Sequence, residues 1–236
     1  MEKKVAIITG ASKGIGKNLA DILLDNNYFV VNASRNKPLE KSGSLFVKTD
    51  VSKKEDCRKL VQKVVKKFGR IDLFVNNAGV LHPDSIDEFS ERTLKLNFQT
   101  NAFGSFFCSF YAAKQMIRQK CGQIINISSS SGVSFKTGQL SYIASKWSIV
   151  GFSGALRMEL QKYGIDVICF CPGGTRTDLF KHFKEDPSKD FMDPKELAEK
   201  IFESMNRIEK EKWLFVYLRK DRILKQYGFD EYPVHQ

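Results

Sequence analysis

The feature that most constrains the fold is a glycine-rich turn directly after a short apolar run near the N-terminus. The run Val5–Ile8 leads into the segment Thr9-Gly10-Ala11-Ser12-Lys13-Gly14-Ile15-Gly16, after which a helical pattern begins. At such a turn a pyrophosphate can sit against the backbone at a helix N-terminus, where free N–H groups and the helix dipole favour negative charge. A β-carbon at Gly10 or Gly14 would hold the phosphates away, and Gly16 lets the helix pack on the strand. Alone the turn is weak evidence, but between a first strand and a first helix it predicts a dinucleotide site.

Strand-like and helix-like segments alternate along the chain. Apolar runs predict strands at Val5–Ile8, Phe29–Ala33, Leu73–Val75, Ile124–Ile127, Val167–Cys171 and Trp213–Leu218. Helical periodicity predicts helices near 15–26, 53–68, 90–119, 142–163 and 194–206. This alternation is typical of an α/β protein with a Rossmann-type, doubly wound parallel sheet and helices on both faces. We expect one domain over residues 1–236, with the tail 219–236 unassigned.

Charge and cysteine content restrict the classes of partner. The net charge is +11, but the lysines are spread over helix faces, which indicates a solvated surface rather than a nucleic-acid site. Five cysteines without a C-x-x-C pair or a histidine cluster argue against a disulfide framework, a zinc site or any other metal centre.

The N-terminal apolar run is too short for a signal peptide or a membrane span. We therefore expect a cytoplasmic protein without stable membrane insertion. A peripheral membrane contact through the basic, aromatic segment from Trp213 to Phe229 is the alternative use of the tail.

The end of the second predicted strand bears on the choice of cofactor. An acidic residue about 20 residues after the glycines would hold the ribose hydroxyls of NAD. Here Ser34 and Arg35 occupy that place, no carboxylate appears until Glu40, and Lys13 lies in the glycine turn. A guanidinium binds a 2′-phosphate that a carboxylate would repel, so the cofactor is predicted to be NADPH/NADP+.

A phenol and an ammonium stand one helical turn apart at Tyr142 and Lys146. Free tyrosine titrates near ~10 and is a poor acid–base group at neutral pH, but a nearby ammonium lowers its pKa. The serine-rich turn from Ser128 to Ser131 ends the strand Ile124–Ile127 on the expected ligand side of the sheet. A hydroxyl there can orient a substrate carbonyl, although by itself it is also an ordinary polar turn.

Taken together, these motifs resemble the short-chain dehydrogenase/reductase family in its compact branch. The matching pieces, in the family's order and spacing, are Thr9–Gly16, Asp50-Val51, Asn76-Asn77-Ala78-Gly79, Asn101 with Gly104, Ser129, Tyr142 with Lys146, and Pro172-Gly173 with Thr177. They span about three quarters of the chain. Three features depart from the pattern: Thr175, where the family usually has a β-branched apolar residue; the short polar stretch Thr177–Asp193, where the family has its substrate lid; and the tail after Leu218.

The resemblance implies a role for each matching residue. Tyr142 would be the general acid, and Lys146 would hold the nicotinamide ribose and lower the tyrosine pKa. Ser129 would orient the substrate, with Ser128 and Ser130 as its rivals, and Asn101 would hold a water that relays protons to Lys146. The remaining cofactor contacts would come from Gly10, Ser12, Lys13, Gly14, Ile15, Gly16, Ser34, Arg35, Asp50, Val51, Asn77, Ala78, Gly79, Pro172, Gly173, Thr175 and Thr177.

The resemblance implies an NADPH-dependent oxidoreductase that reduces a ketone or aldehyde, such as a 3-oxoacyl thioester, to an alcohol. The alternatives are an NAD-linked alcohol dehydrogenase and a non-enzymatic, cofactor-sensing protein on the same fold. It also implies a homodimer or homotetramer paired through the helices that contain Asn101–Lys114 and Tyr142–Gln161. Aromatic residues exceed what one helix needs for its own core at Phe103, Phe106, Phe107, Phe110 and Tyr111.

Overall fold

The computed structural model describes residues 3–38, 41–180, 191–206, 213–217 and 225–227. Its strands are β1 (Lys4–Thr9), β2 (Tyr28–Ser34), β3 (Ser44–Lys48), β4 (Leu73–Asn76), β5 (Gly122–Ile127), β6 (Ile165–Pro172), β7 (Leu214–Tyr217) and β8 (Lys225–Tyr227). Its α-helices are α1 (Gly14–Asp25), α2 (Lys54–Phe68), α3 (Glu91–Asn97), α4 (Gly104–Gln119), α5 (Leu140–Gln161) and α6 (Pro194–Asn206).

The strands form one sheet in the order β3-β2-β1-β4-β5-β6-β7-β8. All neighbours are parallel except β7 and β8, which are antiparallel. The strand order reverses between β1 and β4, so the connections leaving these two strands diverge and open a crevice at their carboxyl ends. In open α/β sheets this switch point is where ligands bind.

Helices cover both faces of the sheet. On one face Leu19 and Leu23 of α1 and Ile201 of α6 pack on strand residues such as Ile8, and all four are fully buried. On the other face α2 and α4 pack on the opposite sides of the same strands. Burial of each such side chain contributes about 1.5–3 kcal/mol. Strands buried on both faces explain why they read as continuous apolar runs rather than as alternating ones.

The structure confirms the predicted Rossmann-type fold and adds two strands. β3 was not predicted, although it contains the short apolar run Leu45–Val47; it is an edge strand whose residues, apart from Val47, stay partly exposed or exposed. β8 falls in the unassigned tail, and its antiparallel pairing with β7 departs from an all-parallel sheet. Only seven residues join these strands, and a parallel crossover needs a dozen or more.

The long helix predicted over 90–119 consists of three continuous parts. A π-helical stretch, Phe98–Phe103, lies between α3 and α4 and contains Asn101. Such wide turns within α-helices are frequent at functional sites. Residues 181–190, in the middle of the predicted lid, lie outside the described residues. The same is true of the tail 219–236 apart from 225–227.

Three further features concern membrane-spanning helices, metal sites and cysteines. None of the helices in the described part of the chain is long and apolar enough to cross a membrane. The described residues contain no group of three or more histidine, cysteine or acidic side chains able to hold a metal ion. All five cysteines lie within the described ranges and are free thiols, and Cys169 and Cys171 pack in the core.

Candidate active site

The glycine turn lies at the switch point, packed against the loop that follows β4. Gly10 has a φ of +67°, and a β-carbon added there would lie 2.8 Å from the Cα of Ala78. The nearest obstacle to a side chain at Gly10 is therefore the protein's own backbone rather than a phosphate. The Asn77 side chain donates to the carbonyl of Thr9 at 2.9 Å, and the Thr9 hydroxyl accepts from the backbone N–H of Asn77 and of Ala78. These bonds join β1 to β4 and bring the predicted residues 10–16 and 77–79 together.

The N-terminus of α1 is suited to an anion. Lys13 is its N-cap residue and makes no side-chain capping bond, and the first turn contains no acidic residue. Backbone N–H groups at such an end favour a phosphate. The Lys13 ammonium forms an ion pair with Asp178, and both side chains are about two-thirds exposed. A β-carbon at Gly14 would lie 3.1 Å from Cγ2 of Thr177, so the structure brings the glycine turn and the segment after β6 together.

The residues predicted to hold the adenosine end lie along the ends of β2 and β3. Ser34 is buried, and its hydroxyl donates to the Asn36 carbonyl at 2.7 Å, while Arg35 is exposed. Asp50 accepts from the hydroxyl and the backbone N–H of Ser52. Val51 is buried, and its side chain fills the space where a β-carbon of Gly104 would lie.

Tyr142 lies in the first turn of α5 and Lys146 in the second, and both face the sheet. Their exposed fractions are 3% and 4%, and the Lys146 ammonium is 5.8 Å from the centre of the Tyr142 ring. The ammonium donates to the carbonyl of Ile127, the last residue of β5, at 3.2 Å. The phenol and the ammonium are thus held at the carboxyl end of the central strands.

Ser129 is the serine whose side chain lowers the pKa of the Tyr142 hydroxyl. Its rival Ser128 is turned away, because its hydroxyl donates to the carbonyl of Lys146 at 2.8 Å. Ser130 begins the short 3-10 turn, and its carbonyl accepts from the Ser134 hydroxyl. Ser129 therefore stays the serine predicted to act with Tyr142.

Burial dominates the acid–base properties of this pair. Burial raises the pKa of Tyr142 to about 12, and the Ser129 side chain acts in the opposite direction. Burial also lowers the pKa of Lys146 to about 8, against the opposing effect of the Cys169 and Cys171 thiols. The expectation that Lys146 lowers the pKa of Tyr142 is not met in this structure, because the ammonium bonds to a backbone carbonyl and desolvation of the phenolate dominates.

Asn101 lies opposite this pair, in the π-helical stretch. Its side-chain oxygen accepts from the backbone N–H of Val80 at 2.9 Å, and its nitrogen donates to the Val80 carbonyl and to the Ser145 hydroxyl, both at 3.0 Å. A β-carbon at Gly79 would lie 3.4 Å from the Asn101 side-chain oxygen and 3.6 Å from the Lys146 ammonium. Asn101, Gly79 and Lys146 therefore converge.

The turn after β6 begins at Pro172 and Gly173. The hydroxyl of Thr175 donates to the Gly173 carbonyl at 3.2 Å, so this side chain is turned inward and is buried. The Thr177 hydroxyl accepts from the backbone N–H of Leu179. In this turn the predicted residues thus lie around the same crevice as the glycine turn.

Two buried polar residues near the site were not predicted. Asp84 and Asn97 contact the first turn of α5, directly before Tyr142. A polar residue in a loop gives no signal of its own. One sequence signal was available, however: Asn97 precedes Asn101 by four residues, just as Ser141 precedes Ser145.

Comparisons with known proteins show what this chain is similar to. The model of the short chain dehydrogenase family matches residues 4–188. An (S)-acetoin-forming diacetyl reductase of Staphylococcus epidermidis is 36% identical over 197 residues, which cover 79% of this chain and 77% of that protein. A 3-oxoacyl acyl-carrier-protein reductase of the same species is 31% identical over 194 residues, covering 78% and 80%.

Solved structures show the same similarity. ElxO with NADP bound superposes with a TM-score of 0.81 at 31% identity, covering 92% of this chain and 97% of that one. A tyrosine-to-phenylalanine variant of ElxO with NADPH bound gives a TM-score of 0.81 at 30% identity, covering 92% and 96%.

Proposed function

Because this chain belongs to the short-chain dehydrogenase family, whose members are oxidoreductases, we propose that it reduces a ketone or aldehyde to an alcohol with NADPH. The observation that carries the proposal is the burial of the Tyr142 phenol and the Lys146 ammonium, one helical turn apart, at the carboxyl end of β5. Oriented phenol, hydroxyl and ammonium groups at the carboxyl end of a Rossmann-type sheet are suited to proton transfer to a carbonyl oxygen.

The residues around the crevice fit a phosphorylated dinucleotide. The α1 N-terminus has no side-chain cap and no acidic residue to compete with a phosphate. Lys13 and Arg35 are cations on the same side of the sheet, and a guanidinium suits a 2′-phosphate. The likeness to ElxO, solved with NADP and with NADPH, supports the same choice. When bound, NADPH supplies the hydride, and the protein supplies orientation and the proton.

Tyr142 acts in this proposal as the general acid. With a pKa of about 12 it is protonated at neutral pH, so its proton is present when negative charge develops on the substrate oxygen. Ser129 lies beside the phenol and, once a carbonyl is bound, donates its single proton to the substrate oxygen. Lys146, with a pKa of about 8, is mainly protonated at pH 7, where it binds the cofactor ribose and returns a proton to the tyrosine.

Two relatives indicate the class of substrate. One is named for diacetyl, a small diketone, and the other for a 3-oxoacyl chain on a carrier protein. Both substrates present a ketone close to a second carbonyl group. The net charge of +11 favours an acidic carrier through long-range attraction. We therefore place small diketones and 3-oxoacyl thioesters first among the substrates.

We also propose that the chain pairs with a second copy through α4 and α5. Phe103, Phe106 and Phe110 remain between 39% and 51% exposed, and Phe106 stacks on Phe152 of α5 at 3.8 Å. Apolar surface of this extent on adjoining helices is typical of an interface. The other two aromatic residues of the predicted surface, Phe107 and Tyr111, instead pack against the core beneath α2.

The proposed activity is tested by following NADPH oxidation with diacetyl, an acetoacetyl thioester, a quinone and a pterin ketone. We expect turnover with at least one diketone or thioester and a clear preference for NADPH over NADH. The Arg35→Ala variant should lose most of that preference while its activity with NADH stays the same. Tight NADPH binding without turnover of any carbonyl would instead indicate a cofactor-sensing protein, and a preference for NADH would contradict the role given to Arg35.

A further inference from the structure

Two asparagines, one helical turn apart, form the same pair of hydrogen bonds with the backbone of the loop after β4. The side-chain oxygen of Asn97 accepts from the backbone N–H of His82 at 3.1 Å, and its nitrogen donates to the carbonyl of His82 at 2.9 Å. Asn101 makes the corresponding two bonds with Val80. Both asparagines are completely buried. The loop is therefore fixed at two alternate residues.

Each asparagine also reaches a serine on α5. The Asn97 nitrogen donates to the Ser141 hydroxyl at 2.7 Å, and the Asn101 nitrogen donates to the Ser145 hydroxyl. Ser141 directly precedes Tyr142. The bond from Asn97 therefore holds the first turn of the helix that carries the phenol.

Asp84 also contacts the first turn of α5. Both of its carboxylate oxygens lie 3.1 Å from the backbone nitrogen of Ser141, and the side chain is 1% exposed. The N-cap residue of α5, Gln139, makes no side-chain capping bond. The first N–H groups of a helix have no acceptor within the helix, and a carboxylate there is also favoured by the helix dipole. Asp84 thus caps α5 from a distant segment of the chain.

We propose that Asn97 and Asp84 are positioning residues for Tyr142, an inference that rests on the proposed role of Tyr142 as general acid. The hydrogen bonds of these two side chains described above join them to His82 and Ser141 rather than to the phenol. Together they prevent the first turn of α5 from fraying and so keep the phenol at Ser129. A displacement of about 1 Å at a reacting group can lower a rate by roughly 100-fold, so the effect should appear in kcat rather than in cofactor binding.

The cleanest test compares two serines of the same helix. Ser141→Ala removes the acceptor of the Asn97 bond, and Ser153→Ala removes an equivalent buried hydroxyl that accepts from Asn126 at 2.8 Å, three turns further along. Both variants should lose similar thermal stability. We expect Ser141→Ala to lower kcat by roughly 10-fold with unchanged NADPH affinity, whereas Ser153→Ala should keep kcat within twofold.

A second pair of variants tests Asp84. Asp84→Asn keeps an oxygen that can accept from Ser141, so it should retain most of the activity, whereas Asp84→Ala should lower kcat by roughly 10- to 100-fold. Amide hydrogen exchange gives a readout independent of turnover. Exchange of the backbone amides of residues 141 and 142 should accelerate in Asp84→Ala and in Ser141→Ala but not in Ser153→Ala.

The outcomes separate this proposal from the proposed function. If Tyr142→Phe keeps full turnover, the role of Tyr142 fails and the positioning role fails with it. If Tyr142→Phe is inactive but Ser141→Ala and Asp84→Ala match the wild type in kcat and in amide exchange, only the positioning role is overturned. Equal losses of kcat in Ser141→Ala and Ser153→Ala would also overturn it, because they would indicate a general loss of stability.

Discussion

The side-chain nitrogen of Asn101 donates a hydrogen bond to the hydroxyl of Ser145, 3.0 Å away, and so ties the π-helical stretch to the helix that carries Tyr142. The side-chain amide of Asn101 also forms hydrogen bonds with both the backbone N–H and the carbonyl of Val80. Asn101 therefore connects three segments that approach one another only in the folded protein.

Loss of the Asn101 side chain should be costly for stability. In Asn101→Ala the N–H and carbonyl of Val80, which are partly buried, lose their partner, and an unsatisfied group costs about 1–3 kcal/mol when it is buried. We expect the free energy of unfolding in urea to fall by about 2–4 kcal/mol. Ser145→Ala is the control, since it leaves the Val80 bonds intact and should cost only about 1 kcal/mol. Equal stability of the two variants would show that the Val80 bonds contribute little.

The pH dependence of reduction should follow Lys146. Burial lowers its pKa to about 8, so the ammonium is present below that pH and is lost as the pH rises through it. Because reduction consumes a proton that Lys146 returns to Tyr142, kcat for reduction should be level near pH 6–7 and fall above about pH 8. The profile is measured at saturating NADPH, with thermal stability checked at each pH. A rate that stays constant to pH 10 would exclude Lys146 as the titrating group.

The ion pair between Lys13 and Asp178 should compete with the cofactor. If the Lys13 ammonium binds the 2′-phosphate, Asp178→Asn removes the carboxylate that competes for this ammonium. NADPH should then bind roughly two- to fivefold more tightly, and the gain is limited because the ion pair is exposed to solvent. The affinity for NADH should not change, and added salt should reduce the difference in NADPH affinity between Asp178→Asn and the wild type. The matched control is Asp193→Asn, which removes a similarly exposed pair with Arg176. Weaker NADPH binding by Asp178→Asn would mean that the pair instead supports the bound state.

Pairing through α4 and α5 can be tested by placing a charge on the exposed aromatic surface. Phe110 is 51% exposed, and Phe110→Glu would bury an unpaired carboxylate in the proposed interface. We expect the variant to be monomeric in sedimentation analysis at concentrations where the wild type is a dimer or tetramer. Phe89→Glu, at a 56% exposed site outside α4 and α5, should leave the wild-type assembly unchanged. A monomeric wild type would contradict the proposed pairing.

The sequence was most informative where a local pattern determines local structure. The apolar run before Gly10 and the spacing of the glycines predicted β1, the turn and α1, because both elements are buried at their contact. Tyr142 and Lys146 could be placed on one helix face because residues four apart share a face. The serine was predicted by its spacing from Tyr142, and the side chain of the same serine lowers the pKa of the phenol.

Features that depend on distant segments could not be predicted in the same way. Asp84 caps α5 only because the fold brings residue 84 to residue 141. The pKa values of Tyr142 and Lys146 are set by burial, which no spacing reveals. The two faces of α4 also could not be separated from the sequence, so that exposed Phe110 and core-packed Phe107 looked equivalent.

Turnover by Tyr142→Phe tests the central claim most directly. The variant removes one oxygen atom and leaves the ring, Lys146 and the α1 N-terminus in place, so NADPH should bind as it does to the wild type. We predict that kcat for carbonyl reduction falls at least 100-fold, in line with the loss of a general acid. A variant that binds NADPH normally and reduces the carbonyl at close to the wild-type rate would contradict the account.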